Sequence, residues 1–292
     1  MPTTSDREDP TAEPGLGAVS SLGGLAAVVA ENAVDDTEDL PDDDTVEVKK
    51  TNSYGRRRHS NHKYHKIHEK LDSSFHPNIR PLTISDLESC VVLENAAFTD
   101  PSHRCSREKF EYRLTVSPEL CLGLFCTIVP DNANGVKLST FPPSHPVETG
   151  RKDGARSVLL AHIVATRTDG MFVTDEAMDY PRDFRVSKHN TSGLGHNDTG
   201  STVCIHSLAV HPELQGCGLG RLIMKSYLQQ LKNSEIAESC ALICQNHLIA
   251  FYERFGFEYL GTSGATIGSG GWHDMFLKVD NLPPYSMKPG RG

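Results

Sequence analysis

The second half of the chain has the most regular pattern of hydrophobic and polar positions. Residues 202–210 (TVCIHSLAV) form an apolar run rich in β-branched residues, which predicts a strand. Residues 215–220 (QGCGLG) form a glycine-rich turn, and the apolar residues of 221–232 then recur at helical spacing. The pattern therefore predicts a strand, a tight turn and a helix in succession, with the other elements arranged around them.

The same reasoning predicts one α/β domain from about residue 77 to 280. Further strands are predicted at 79–83, 120–129, 158–166, 240–244, 258–261 and 274–278, and further helices at 85–98, from 106 toward 117, and at 246–255. Ser85, Ser106 and Asn246 are the predicted N-caps, and Gly256 is predicted to end the last helix in a left-handed conformation. This order predicts a central mixed, mostly antiparallel sheet flanked by helices.

Two polar stretches interrupt the predicted domain. Residues 130–156 and 167–200 are rich in turn-forming residues and are predicted to be loop inserts, with one helical turn at 175–178. Residues 281–292 are predicted to be a flexible C-terminus.

The N-terminal residues 1–76 have a different composition from the domain. They are poor in aromatic residues and include the acidic run 35–44, so they are predicted to be a disordered, regulatory tail. Residues 56–60 (RRRHS) fit the pattern of basophilic kinases, which makes Ser60 a candidate phosphorylation site and a docking point for a phosphoserine-reading adaptor. The alternative interpretation of this patch is a solvated basic linker.

Composition narrows the function. The formal net charge of −9 disfavours general nucleic-acid binding and mildly favours cationic substrates. No apolar run is long enough for a membrane span, and no secretory signal is evident, so we expect a cytoplasmic protein without membrane attachment. The eight cysteines show no metal-ligand spacing, so we expect reduced thiols and no metal.

The glycine turn is a candidate anion site. Glycines let a backbone approach a phosphate closely, and the first amides of a helix have no partner within the helix. The turn lacks the Gly-Lys-Ser/Thr of nucleotide triphosphate loops and the spacing of dinucleotide loops. By itself, it is also compatible with a simple tight connection.

Three stretches together resemble one known family. These are 117–125 (SPELCLGLF), 206–212 (HSLAVHP) leading into the glycine turn, and 244–257 (CQNHLIAFYERFGF). They are similar to the GNAT superfamily of N-acetyltransferases, in particular to arylalkylamine (serotonin) N-acetyltransferases and their fungal polyamine-acetylating relatives. The resemblance implies the GNAT fold and acetyl-CoA as co-substrate.

The resemblance also implies where acetyl-CoA binds. The backbone of Leu208, Ala209 and Val210 would hydrogen-bond the pantetheine arm, and a bulge in 202–210 would separate this strand from 240–244. The other residues assigned to acetyl-CoA by resemblance are Gln215, Gly216, Cys217, Gly218, Leu219, Gly220, Arg221, Asn246 and Tyr252.

Two side chains are candidates for the chemistry. An alkylammonium with a pKa of about 10 is almost fully protonated at neutral pH, so His206 is the candidate base, acting through water. Tyr252 matches the family tyrosine that protonates the departing thiolate. The family pattern is His-x-His, but Cys204 stands at the first position, and we interpret Cys204 as a packing residue. The alternatives are a strand histidine and a core tyrosine without chemical roles.

The resemblance assigns apolar substrate contacts to Leu208, Ile243, Phe98 and Pro101, and places Cys105 in the same substrate-binding loop. A polyamine would need a second anionic anchor, for which Glu94, Asp100 and Glu119 are candidates.

The resemblance, together with these residues, implies transfer of an acetyl group to a small arylalkylamine or polyamine by direct attack. The alternatives are a protein N-acetyltransferase and a catalytically weak acetyl-CoA-binding interaction module.

Overall fold

A computed structural model describes residues 77–129, 144–187 and 192–282. The strands are β1 Pro77–Pro81, β2 Leu122–Ile128, β3 Val147–Glu148, β4 Arg156–Thr168, β5 Thr202–Val210, β6 Ser239–Cys244, β7 Glu258–Thr262 and β8 His273–Lys278. The helices are α1 Leu87–Ala97, α2 Arg107–Val116, α3 Asp175–Met178, α4 Leu219–Ser234 and α5 Ile249–Glu253. The predicted tail with Ser60, and all but two residues of the predicted C-terminal segment, lie outside the described residues.

The strands form one sheet in the order β1-β2-β4-β5-β6-β8-β7, with β3 paired to β4 outside this path. Every pairing is antiparallel except that of β5 with β6. The predicted α/β fold with a mixed, mostly antiparallel sheet is therefore confirmed. No helix in these described ranges is long and apolar enough to cross a lipid bilayer.

Helices cover both faces of the sheet. On the α4 face, α4 and α5 bury side chains such as Ile223, Tyr227 and Phe251 against the central strands. On the α1 face, α1 and α2 bury Leu93 and Phe110. Each such side chain contributes about 1.5–3 kcal/mol by leaving water, so the two layers hold the central strands in register.

Three local predictions need correction. Ser85 is not an N-cap: Thr83 is the N-cap of a 3-10 turn, Ile84–Asp86, in which Asp86 accepts a hydrogen bond from the Thr83 amide at 2.9 Å, and Asp86 is the N-cap of α1. Asn246 is not an N-cap: it begins a single 3-10 turn, Asn246–Leu248, which Gln245 precedes. The short strand β3 lies within the first insert, where no strand was predicted. The Ser106 cap, the turn at 175–178 and the left-handed Gly256 are confirmed.

Candidate active site

The two parallel strands at the centre of the sheet separate toward their carboxyl ends. Pairing of β5 with β6 runs from Thr202 and Ser239 to Ile205 and Leu242, and it ends there although both strands continue. At this point β5 contains a bulge: Val164 faces Ser207 and Ala165 faces Ile205, which leaves His206 as the extra residue. The predicted bulge and the predicted opening are therefore both present.

The bulge also changes which side chains share a face. Ile205 and Leu208 both pack on the α4 face, although they are three residues apart in a strand. His206 contacts Cys204 and Met178, which belong to a cluster on the α1 face, and Ser207 contacts Glu94 of α1. His206 and Ser207 therefore both point to the α1 face, which normal strand alternation would forbid.

The glycine turn follows the end of β5 and leads into α4. Gly216 and Gly218 have φ angles of 70° and 84°, a conformation that side chains rarely adopt. Gly218 is the N-cap of the sixteen-residue helix α4, and among the described residues nothing lies within 4 Å of where its Cβ would be. As a glycine, this N-cap has no side chain of its own that could occupy the helix start. The arrangement suits an anion beside Gly218.

Two of the predicted turn ligands are engaged within the protein. The Cys217 amide donates to the Leu214 carbonyl at 3.3 Å, and the Cys217 side chain is buried in the core. The Gln215 side chain donates to the Val210 carbonyl at 3.3 Å. Cys217 and Gln215 therefore shape the turn from within.

Tyr252 projects from α5 into the core of the α4 face, close to Cys244 at the end of β6. Its ring packs edge-on against Phe251 and Phe257, and its hydroxyl has no hydrogen-bond partner among the described residues. Burial raises the pKa of Tyr252 above its usual range. The phenol is therefore protonated at neutral pH, as a proton donor must be.

His206 is held on both sides of its ring. Its Nε2 lies 2.7 Å from Thr166 Oγ1, and its Nδ1 lies 2.8 Å from Met178 Sδ and 3.8 Å from Cys204 Sγ. Burial, together with the nearby Arg113 guanidinium, lowers the pKa of His206 well below its usual range. The imidazole is therefore neutral at pH 7 and able to accept a proton, although it is a weaker base than an exposed histidine.

Burial also raises the pKa of the Cys204 thiol to about 12, so this sulfur is not a thiolate at neutral pH. The structure thus favours the interpretation of Cys204 as a packing residue.

A buried polar cluster next to His206 was not predicted as a unit. Ser207 donates to Glu94 Oε2 at 2.7 Å, and His162 Nε2 lies 3.2 Å from the same oxygen and 3.1 Å from Ser207 Oγ. Glu94 also accepts the Cys105 amide at 2.8 Å. Glu94 and His162 come from α1 and β4, far apart in sequence, so no local motif could reveal this carboxylate, imidazole and hydroxyl cluster.

The α1 face beside His206 is covered by three segments that are tied together. Arg113 is buried and donates to the Met178 carbonyl at 2.9 Å and toward Cys105 Sγ at 3.2 Å. His103 Nε2 lies 2.6 Å from Ser269 Oγ, which joins the loop after α1 to the loop before β8. The Thr266 amide donates to Asp175 at 2.9 Å, which joins that second loop to α3.

The predicted substrate contacts fall into separate places. Ile243 packs beside the cluster that contains Cys204 and Met178, so it shares the α1 face with His206. The Leu208 side chain is 5% exposed and packs on the α4 face. Only the backbone of Leu208 therefore borders the opening. Phe98 is partly buried beside the α1 and α2 core, and Pro101 is exposed in the following turn.

Comparison with known proteins decides the family. The profile of the acetyltransferase (GNAT) domain matches residues 181–272. Serotonin N-acetyltransferase of Homo sapiens is 35% identical over 192 residues, which cover 65% of this chain and 72% of that protein. The chain belongs to the GNAT acetyltransferase family. Serotonin N-acetyltransferase of Mesocricetus auratus is 29% identical with the same coverage. Among solved structures, the loading GNATL domain of CurA from Lyngbya majuscula is similar, with a TM-score of 0.45, 15% identity, and coverage of 70% of this chain and 98% of that domain.

The predicted GNAT family and fold are thereby confirmed, while the roles of single residues stay predictions. The GNAT profile covers β5, the glycine turn, α4 and β6, which surround the opening. It does not extend to α1 and α2, which supply Glu94 and Arg113.

Proposed function

We propose that this chain transfers an acetyl group from acetyl-CoA to the primary amine of a small arylalkylamine or polyamine by direct attack. The observation that carries the proposal is the opening between β5 and β6, with His206 in the bulge of β5 and the left-handed glycine turn leading from β5 into α4.

The residues around the opening fit acetyl-CoA. Beyond Ile205, the strand edge formed by Leu208, Ala209 and Val210 no longer pairs with β6, so its backbone would hold the pantetheine arm. The start of α4, from Gly218 to Arg221, would hold the pyrophosphate, with Gly216 shaping the approach. When bound there, acetyl-CoA supplies an acyl group activated as a thioester.

Proton handling is assigned to side chains on the two faces of the sheet. Neutral His206 lies in the bulge and would accept the amine proton through water, while the Glu94, His162 and Ser207 cluster offers a second acceptor one residue away. Protonated Tyr252 would donate to the departing thiolate from the α4 face.

The coverage of the α1 face favours a small amine over a protein substrate. The bonds of His103 to Ser269 and of Thr266 to Asp175 join the surrounding segments, whereas an extended peptide needs an open groove.

The proposal is tested by thiol release from acetyl-CoA with tryptamine, putrescine, spermidine and a peptide carrying a free N-terminus. We expect release with the small amines and little with the peptide. His206→Ala should lower kcat by about tenfold or more, with little change in the KM for acetyl-CoA. Amine-independent release would indicate hydrolysis of the thioester and would overturn the proposal, whereas tight acetyl-CoA binding without any release would support a binding module.

A further inference from the structure

Three residues lie level with one another across three adjacent strands. Ile205 of β5 pairs with Leu242 of β6, and Leu242 pairs with Met275 of β8. One position further along, Ile243 pairs with Asp274, and His206 follows Ile205. His206, Ile243 and Asp274 therefore form a row at the carboxyl end of the two parallel strands.

All three side chains are on the α1 face. Cys204, Ala241 and Phe276 share one buried cluster with Met178, and His206 contacts two of its members. Ile243 packs against the same cluster, two residues beyond Ala241. Asp274 lies two residues before Phe276 in a strand whose pairing with β6 is regular, so strand alternation places its side chain on this face too.

The row has a defined span. Neighbouring paired strands lie about 4.8 Å apart, and β5 and β6 separate beyond Ile205, so the backbones of His206 and Asp274 are at least about 10 Å apart. Ile243 lies between them and is partly exposed, which gives an apolar middle with a polar group at each end.

Asp274 is a buried carboxylate in a strand. It is 4% exposed, and its Oδ1 accepts a hydrogen bond from Ser263 at 2.8 Å. No lysine or arginine forms an ion pair with it in the described part of the chain. Burial raises the pKa of Asp274 above its usual value. A buried carboxylate without a cation costs free energy, and a cation supplied by a ligand would offset that cost.

We propose that Asp274 is the second binding point for the acyl acceptor, where it takes the distal ammonium of a diamine or polyamine whose reacting nitrogen lies near His206. The inference rests on the proposed function and selects the polyamine class within it. The methylene chain between the two nitrogens would lie along Ile243.

The three carboxylates considered from sequence serve this role less well. Glu94 is occupied by Ser207, His162 and the Cys105 amide. Asp100 caps its own turn by accepting the Ser102 amide at 2.7 Å. The Glu119 backbone is bound by Gln230 of α4, on the opposite side of the sheet from His206.

The test compares amines of equal chain length with and without a second nitrogen. Putrescine, cadaverine and hexamethylenediamine are assayed against butylamine, pentylamine and hexylamine, using the wild-type full chain and Asp274→Asn. We expect the wild type to have a KM about tenfold or more lower for the best diamine than for its monoamine. Asp274→Asn should abolish that difference, because the KM for the diamine should rise to that for the monoamine.

Two further variants separate binding from folding. Asp280→Asn removes an exposed carboxylate just beyond β8 and should keep the full diamine preference. Ser263→Ala removes the hydroxyl bonded to Asp274 but leaves the carboxylate, so it should also keep the preference. If Asp274→Asn does not fold, Asp274→Glu provides the test, because it keeps the charge but moves the carboxylate outward by one methylene. A shift of the preferred diamine to a shorter chain supports the proposal, and an unchanged preferred length, or no diamine preference in the folded wild type, overturns it.

The remaining outcomes are also decisive. Equal use of diamines and monoamines by the wild type, or an equal loss for both in Asp274→Asn, overturns the role of Asp274 and leaves the acetyltransferase proposal intact. Failure of every amine to release thiol overturns both.

Discussion

The two faces of the sheet around the opening differ in the groups that form their candidate sites. On the side of α4, the candidate cofactor site consists of main chain: a strand edge, two left-handed glycines and the start of a helix. On the α1 face, the candidate acceptor site consists of side chains, among them His206, Glu94 and Asp274. Under the proposed function, the co-substrate would be held by backbone geometry, whereas the acceptor would be selected by side chains that single substitutions can change.

The largest expected effect is on CoA binding, when a substitution distorts the glycine turn. Gly218→Val forces a β-branched residue to a φ of 84° and fills the space beside the start of α4. We expect the Kd for CoA, measured by calorimetry, to rise about a hundredfold.

Gly150→Val is the matched control for that strain. Gly150 has a φ of 70° and equally open surroundings, but it lies in the hairpin between β3 and β4. This variant should lose similar stability and bind CoA normally. Normal binding by Gly218→Val would show that the turn is only a connection.

Tyr252→Phe tests the one side chain on the α4 face to which we assign a chemical role, in a site that otherwise consists of main chain. Loss of the proton donor should lower kcat about a hundredfold, while the KM for acetyl-CoA stays nearly constant. Tyr227→Phe is the control, since its hydroxyl only donates to the Leu120 carbonyl. Equal kcat values in the two variants would remove the role of Tyr252 as an acid.

On the acceptor side, Glu94→Gln keeps the shape of the polar cluster but removes its charge. If this cluster accepts the amine proton, kcat should fall about tenfold or more and the pH profile should shift. Ser207→Ala keeps the carboxylate and should have a smaller effect. A Glu94→Gln enzyme with an unchanged profile would assign proton removal to His206 alone.

The smallest effect concerns stability and pH. Because the pKa of His206 is lowered in the folded chain, the unfolded chain binds more protons, and acid destabilises the fold below about pH 6.5. His206→Asn should abolish about 1 kcal/mol of the stability loss between about pH 6.5 and pH 5.5, as measured by urea denaturation. An identical loss in wild type and variant would mean that His206 titrates normally.

The sequence predicted the main-chain side of the site better than the acceptor side. The opening depends on one contiguous stretch, 202–221, in which the strand, the turn and the helix start follow each other and carry a local signal. Alternation of strand residues would place Ser207 on the α4 face, and only the bulge at His206 moves it to Glu94. The pairing of distant strands then determines that Asp274 stands opposite Ile243. These relations are long-range, so periodicity could not reveal them.

The misplaced caps have a similar cause. Asn246 has a good capping side chain, but the chain leaves β6 through a 3-10 turn that starts at that residue. Ser85 also has a good capping side chain, but Asp86, held by its ion pair with Arg80 at 2.7 Å, bonds the Thr83 amide, so the turn begins after Thr83, two residues earlier.

The central claim is that the opening between β5 and β6 presents an acyl group to an amine at His206. The most direct measurement is the rate of thiol release from acetyl-CoA by the full chain, with and without a small amine, in wild type and Gly218→Val. We expect release that depends on the amine and that is largely lost in the variant at low acetyl-CoA concentration. Release that ignores the amine, or that is unaffected by the substitution, would contradict it.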